Sequence, residues 1–290
     1  MTRGLVPFIV AAMVAACWGA PAAPSPSLPP SPTPSPTPGT EFYLRSWYTQ
    51  ALPPSATFSW LPIVTIVDGT LIDGNVAVPA IYPGPLLITP NARWISEAGI
   101  AAIVEEARRL GMLGDTTDFT AGEALPGARV GHVEIVIDGN RRLLTGDPDA
   151  LVRCDGARCE AEPGTPEAFA AYWQALANAG VWLEPELGPL VAYEPERVAL
   201  LLTDPQPAQP DLTPAPVAWP FDTPLDAAGV AYPGTQGDRC VTMAGAELAA
   251  ILPTLHSGNQ LTTFVDQAGN RRGLVVRVLV PGEESPCPAA

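Results

Sequence analysis

Residues 18 to 40 are rich in Pro, Ser and Thr, with repeated Pro-Ser-Pro and Pro-Thr-Pro and almost no charge, and this fixes where folding can begin. Such a composition cannot bury a core and favours extended polyproline II. The stretch reads as a tether. At about 3.1 Å per residue, some 20 residues would hold whatever follows up to roughly 60 Å from whatever precedes. From Thr40 onward the composition turns globular, so the folded part is expected over 41–290, with sub-lobes over 41–150 and 160–290.

Ahead of the tether, Arg3 precedes an apolar run from Leu5 to Val14 that ends in Val14-Ala15-Ala16-Cys17. A basic start, a short apolar stretch and small residues before a cut are the order of a secretory signal peptide. About ten apolar residues are too few to span a hydrocarbon core, which takes roughly 20 in helical form. Val-Ala-Ala-Cys resembles the lipobox of bacterial lipoproteins, over the first 17 residues. The resemblance implies a signal peptide over 1–16, cleavage before Cys17 and acyl chains on that cysteine. A plain secretory signal cut at a nearby alanine is the alternative. Acylation would supply a firm anchor, at roughly 0.8 kcal/mol per buried methylene. The address implied is the outer face of the cell membrane. In a cell with two membranes, Trp18 after the cysteine resembles the pattern sent to the outer membrane.

Thirty Asp plus Glu stand against 15 Arg, and there is no Lys. This balance argues against nucleic acid and against electrostatic docking on anionic lipid. The missing lysine removes a P-loop, a Schiff base to pyridoxal phosphate or a sugar, and a Ser-Lys dyad.

Once Cys17 is set aside, Cys154, Cys159, Cys240 and Cys287 remain, an even number in a chain read as exported. The expected pairs are Cys154 with Cys159 and Cys240 with Cys287, with the other two connectivities open. A four-cysteine zinc site would need the same residues.

The fold class expected is α+β, antiparallel sheets with packed helices. Thr57 to Val67 is rich in aromatic and β-branched residues and ends at Asp68-Gly69, a hairpin signal, with Pro62 marking an edge or bulge. Ser96 caps a helix with Ile100, Ile103, Val104, Ala107 and Leu110 on one face, ended by Gly111. Val133, Ile135 and Ile137 alternate up to Asp138-Gly139. Thr165-Pro166-Glu167 starts a second helix that carries Phe169, Tyr172, Trp173 and Leu176. Val198 to Leu202 reads as a buried strand, and a Pro-rich stretch from Asp204 to Pro233 as surface. A third helix is expected from Thr242, with Leu248, Ile251 and Leu255 as its stripe and Pro253 as a kink or early end. Leu261 to Asp266 and Leu274 to Val280 close the chain as a hairpin. In both halves a helix is followed by a hairpin bearing Gly-Asn-Arg-Arg, at 139–142 and 269–272, which suggests two similar helix-plus-hairpin units.

Several residues invite a functional role and have a plainer reading beside it. Arg141-Arg142 and Arg271-Arg272 offer cationic spots for a carboxylate or phosphate, or are solvated strand ends. His132 can pair with Glu134, and His256 suits a helix end. Asp147, Asp149 and Asp155 could hold calcium, or simply face water. There is no Gly-x-Ser-x-Gly elbow, zinc helix, dinucleotide loop or complete calcium loop, and no catalytic, metal or cofactor residues are assigned. The folded part also resembles uncharacterised secreted proteins and lipoproteins of GC-rich bacteria at Tyr82-Pro83-Gly84-Pro85 and the Ser96 helix start, a resemblance that implies no activity.

The sequence therefore points to an exported, lipid-anchored, non-enzymatic domain that binds a protein, peptide or envelope component. The alternatives are a cell-wall glycan hydrolase with paired carboxylates and a structural spacer.

Overall fold

The computed structural model describes residues 41–76, 81–120, 122, 127–155 and 158–289, so the lipobox-like stretch read at Val14 to Cys17 lies outside the described residues. The elements of the first lobe are β1 (Phe42–Gln50), α1 (Pro54–Thr57), β2 (Val64–Val67), β3 (Thr70–Asp73), β4 (Asn91–Trp94), α2 (Glu97–Arg109), β5 (Asp118–Phe119), β6 (Arg129–Ile137), β7 (Asn140–Gly146), β8 (Arg153–Asp155), β9 (Arg158–Glu160), α3 (Pro166–Ala177), α4 (Ala179–Trp182) and β10 (Val191–Ala192). The second lobe holds β11 (Arg197–Thr203), β12 (Val217–Ala218), β13 (Val230–Ala231), β14 (Arg239–Ala244), α5 (Gly245–Ser257), β15 (Thr263–Val265) and β16 (Arg271–Leu279).

The fold is α+β. One sheet has eight strands in the order β10-β4-β3-β2-β1-β6-β7-β5, a second has six in the order β12-β15-β16-β11-β14-β13, and β8 and β9 pair by themselves. Pairing is antiparallel except for one short parallel edge pair in each sheet, β5 with β7 and β12 with β15.

Local chemistry explains most elements. Asp68 and Gly69 both adopt left-handed backbone, φ 48° and 69°, and turn β2 into β3 in two residues. The Ser96 hydroxyl accepts from Gly99 N at 3.0 Å and Thr165 from Ala168 N at 3.2 Å, each capping its helix. The strand expected from Thr57 begins only at Val64, just after Pro62, and the residues before it form α1 and irregular chain. Nor is it an edge, since β2 lies between β1 and β3. The third helix starts at Gly245 rather than Thr242, because residues up to Ala244 pair with β11 as β14, and it continues past Pro253 to Ser257.

The first core lies between the eight-stranded sheet and helices α2 and α3, where Leu44, Ile66, Val133, Ile135 and Leu144 meet Ile103, Ala107, Phe169, Tyr172 and Leu176. Every residue of α3 from Ala168 to Leu176 except Gln174 is buried. Because α3 lies on this sheet, the chain passes to the second lobe between Ala192 and Arg197, later than the break expected over 150–160. The second core sets Leu248, Ile251 and Leu255 of α5 against Val198, Leu200, Val276 and Val278. The Pro-rich stretch does more than cross the surface, since its Trp219 and Leu225 are buried in this core. On the other face of β11, Ala199 and Leu201 pack with Phe58, Tyr232 and Leu279. A strand covered on both sides reads as the unbroken apolar run Val198 to Leu202.

Each sheet carries a helix followed by a hairpin, yet the two units are joined differently. In the first, the leading hairpin strand β6 pairs with the central β1; in the second, the trailing strand β16 pairs with the central β11. The sulfurs of Cys154 and Cys159 stand 1.99 Å apart across the hairpin β8–β9, and those of Cys240 and Cys287 stand 2.05 Å apart, linking β14 to the C-terminal segment. No helix among the described residues is long and apolar enough to cross a membrane.

Candidate functional site

The most developed site begins with a proline in the wrong place for a ladder. Ser46 of β1 pairs with Val64 of β2, so the same register carried on would set Tyr48 opposite Pro62. Proline has no N–H to give a neighbouring strand. The ladder stops there. The Ser46 carbonyl takes Ile63 N at 2.7 Å and its hydroxyl takes Val64 N at 3.2 Å, after which the chain leading back to Thr57 diverges from β1. On its other side β1 stays paired with β6 without interruption to Gln50 opposite Arg129. Main-chain groups of alternate strand residues point to the same side. The Tyr48 N–H and C=O therefore point, like those of Ser46, to the side that β2 has vacated, and they have no main-chain partner among the described residues.

The gap is a hollow of about 280 Å³ lined by Trp47, Tyr48, Thr49, Gln50, Thr57, Trp60, Leu61 and Arg277. Trp47 and Tyr48 point to opposite faces of the strand, so the hollow wraps around its open edge. The Tyr48 and Trp60 rings stand 4.7 Å apart at 44°, and Trp47 stacks on His132 at 5.3 Å and 23°. Trp182 and Trp219 give their indole N–H groups to the carbonyls of Ala175 and Thr223, whereas those of Trp47 and Trp60 have no partner among the described residues. Arg277 donates to the Phe58 carbonyl at 3.3 Å and is ion-paired with Glu283. Gln50 donates to the Gly127 carbonyl at 2.7 Å, which leaves its own carbonyl oxygen free to accept.

His132 supports this wall. Its ring nitrogens stand 3.0 Å from the Thr49 hydroxyl and 3.3 Å from that of Thr145. Burial holds its pKa below the ordinary value, so the ring is neutral at pH 7. The expected His132–Glu134 pair does not form, because Glu134 is occupied by Arg45 at 3.2 Å and Arg141 at 2.5 Å.

Of the other residues singled out in the sequence, some are held by the fold and some lie exposed. Arg142 donates to the carbonyls of Gly114 and Thr116, and Arg272 pairs with Asp204 at 3.0 Å and Asp226 at 2.8 Å. His256 lies exposed in the last turn of α5. Asp149 pairs with Arg129, and among the described residues no cluster of His, Cys, Asp or Glu fit for a metal occurs, the four cysteines included. Of the buried acids, Glu106 is held by Arg109, Glu134 by two arginines and Glu283 by Arg277, while Asp266 caps a loop. Two further hollows, of about 340 Å³ beside Tyr82 and Leu261 and about 470 Å³ beside Ile135 and Arg141, bring to the lining one carboxylate between them, Asp138.

Sequence reasoning passed over Trp47, Tyr48 and Trp60 as sites. Pro62 within a strand-like run was the signal, and it needed the register of β1 and β2 to be read. No family model, curated protein or solved structure matches the chain.

Proposed function

We propose that this chain is an exported lipoprotein, held by acyl chains on Cys17 to the outer face of the cell membrane, or to the outer membrane of a host with two, and that its domain 41–290 binds a protein, peptide or envelope component without catalysis. The observation that carries the binding reading is the hollow at the end of β1, where three aromatic side chains and unpaired main-chain groups surround an open space. Two cysteine pairs at disulfide distance agree with an oxidising compartment. The Pro-rich tether agrees with a domain held off a surface. The hydrolase reading draws no comparable support, since it needs two facing acids in a cleft and the buried acids are engaged in ion pairs and a cap.

The address is tested by labelling cells with a radioactive fatty acid and fractionating them. Wild-type protein is expected to carry label and sediment with membranes, while Cys17→Ser carries none and is released or retained as precursor. Equal sedimentation of an unlabelled wild type would remove the lipid anchor.

A further inference from the structure

We infer that the hollow at the end of β1 receives an extended peptide segment, which adds to the eight-stranded sheet as a short strand in the place that Pro62 denies to β2. The inference rests on the binding reading above and names the chemistry of its ligand.

Three observations converge on an extended peptide. The first is the vacancy itself. Tyr48 presents one N–H and one C=O on the open side of β1, the spacing that a residue of a neighbouring antiparallel strand satisfies with its own C=O and N–H. Adding a strand to an open edge supplies affinity through main-chain bonds and specificity through pockets for alternate side chains. The second is the placement of the aromatic residues. Trp47 lies on one face of β1, and Tyr48 with Trp60 at 4.7 Å on the other, so successive side chains of an added strand would meet an aromatic surface above and below the sheet. The third is charge. Although the chain carries a net charge of −15, the lining holds one guanidinium, Arg277, and no carboxylate. Arg129 stands over Tyr48 at 5.3 Å and Arg45 over Trp47 at 4.4 Å. Arg277, Arg129 and Arg45 are each paired with a carboxylate of the chain, Glu283, Asp149 and Glu134, so the hollow is locally neutral and the segment that fits is aromatic or aliphatic with uncharged neighbours. Pro62, which has no N–H to give, stands where the register of β1 and β2 would continue past Ser46 and Val64.

The test uses the full chain purified in detergent. Probes are the blocked hexapeptide acetyl-Val-Thr-Tyr-Thr-Val-Gly-amide, the same peptide N-methylated at each residue in turn, its counterpart with Glu for Thr, and the neutral oligosaccharides cellohexaose and chitohexaose. Binding is read from tryptophan fluorescence, and hydrogen exchange of the segment around residues 47–50 is followed by mass spectrometry. The expected result is binding of the uncharged hexapeptide, with slowed exchange at 47–50, about tenfold or more weaker binding after N-methylation at one central residue, and no tighter binding of the Glu peptide. Trp60→Ala, checked by circular dichroism for an unchanged melting transition, is expected to weaken binding by about tenfold or more. Peptide binding that tolerates N-methylation at every position, or leaves exchange at 47–50 unchanged, would overturn strand addition while leaving a binding domain. Binding of an oligosaccharide but of no peptide would overturn the ligand class and keep the hollow as a site. Binding of neither set would count against this inference and against the reading on which it rests.

Discussion

Asp266 carries more structure than any other single carboxylate of the second lobe. It ends β15 and turns the chain into β16, and its two oxygens accept from Ala268 N at 3.0 Å, Asn270 N at 2.9 Å, Asn270 Nδ2 at 2.9 Å and Leu225 N at 2.9 Å. Burial alone would raise its pKa, but the Asn270 amide and the N–H groups of Leu225, Asn270 and Ala268 outweigh it and hold the carboxyl below the usual aspartate range. A folded-state pKa below the unfolded value means that the charged form is stabilised by folding. That contribution is complete above the unfolded value, about 3.9, and is lost as pH falls through the lower folded value. Asp266→Asn is therefore expected to lower the melting temperature at neutral pH, with the gap from wild type closing below about pH 4. A gap that stays constant down to acid pH would show that the ionised carboxylate is not what holds the loop. Local signals at this scale were legible in the sequence: Ser96 and Thr165 cap the helices that they were expected to cap, because a cap depends on residues three places away. The bond from Leu225 spans 41 positions, and no local pattern announces it.

Helix α3 shows what the sequence tells about an element and what it withholds. Thr165-Pro166-Glu167 fixed its start, and the apolar run through Phe169, Tyr172, Trp173 and Leu176 fixed its burial. Its neighbours were not legible, because they depend on two glycines far away in the chain. A side chain at Gly146 would meet the Phe169 ring at 2.5 Å and one at Gly131 would meet it at 3.0 Å, so both strands must be bare there for the helix to lie flat on the sheet. Phe119 stacks on Phe169 at 5.8 Å and closes the pocket. Phe169→Ala would leave a cavity in a fully buried site, and its expected cost is about 3 to 5 kcal/mol, read from the urea denaturation midpoint with an unchanged slope. A loss under about 1 kcal/mol would mean that α3 is not anchored through this ring. The same distinction explains the two misplaced element starts. Thr57 to Ile63 has strand-like composition, but Pro62 interrupts pairing, while Thr242 looked like a cap and is instead paired with Ala199 in β14. Composition gave the type of these segments; pairing partners decided their bounds, and with them the open edge at Tyr48.

At the scale of the whole domain, the C-terminal segment after β16 lies against both sheets. Tyr43 of the first sheet approaches Gly282 so closely that a side chain there would meet its hydroxyl at 2.7 Å, and Arg197 of the second sheet donates to the Glu283 carbonyl at 2.6 Å. Glu283 turns back to accept from Val280 N at 3.1 Å and pairs with Arg277, which itself borders the hollow. The even number of cysteines suggested that the end of the chain is fastened, but not that the fastened segment joins the lobes. Cys287 ties this segment to Cys240 across 47 positions, whereas Cys154 and Cys159 are only 5 apart. A cross-link acts largely by restricting the unfolded chain, and more so the longer the loop that it closes. Replacing Cys240 and Cys287 together by serine is expected to cost about 4 kcal/mol, and replacing Cys154 and Cys159 about 2 kcal/mol. The two losses should also differ in kind. Without the Cys240 link the segment 281–289 is released from both sheets, so limited proteolysis followed by mass spectrometry should find early cuts there. Loss of the Cys154 link should loosen only the β8–β9 hairpin and leave that segment protected. Equal losses of stability, or a segment that stays protected after both Cys240 and Cys287 are replaced, would show that packing at Tyr43, Arg197 and Glu283 joins the lobes without help from the covalent link.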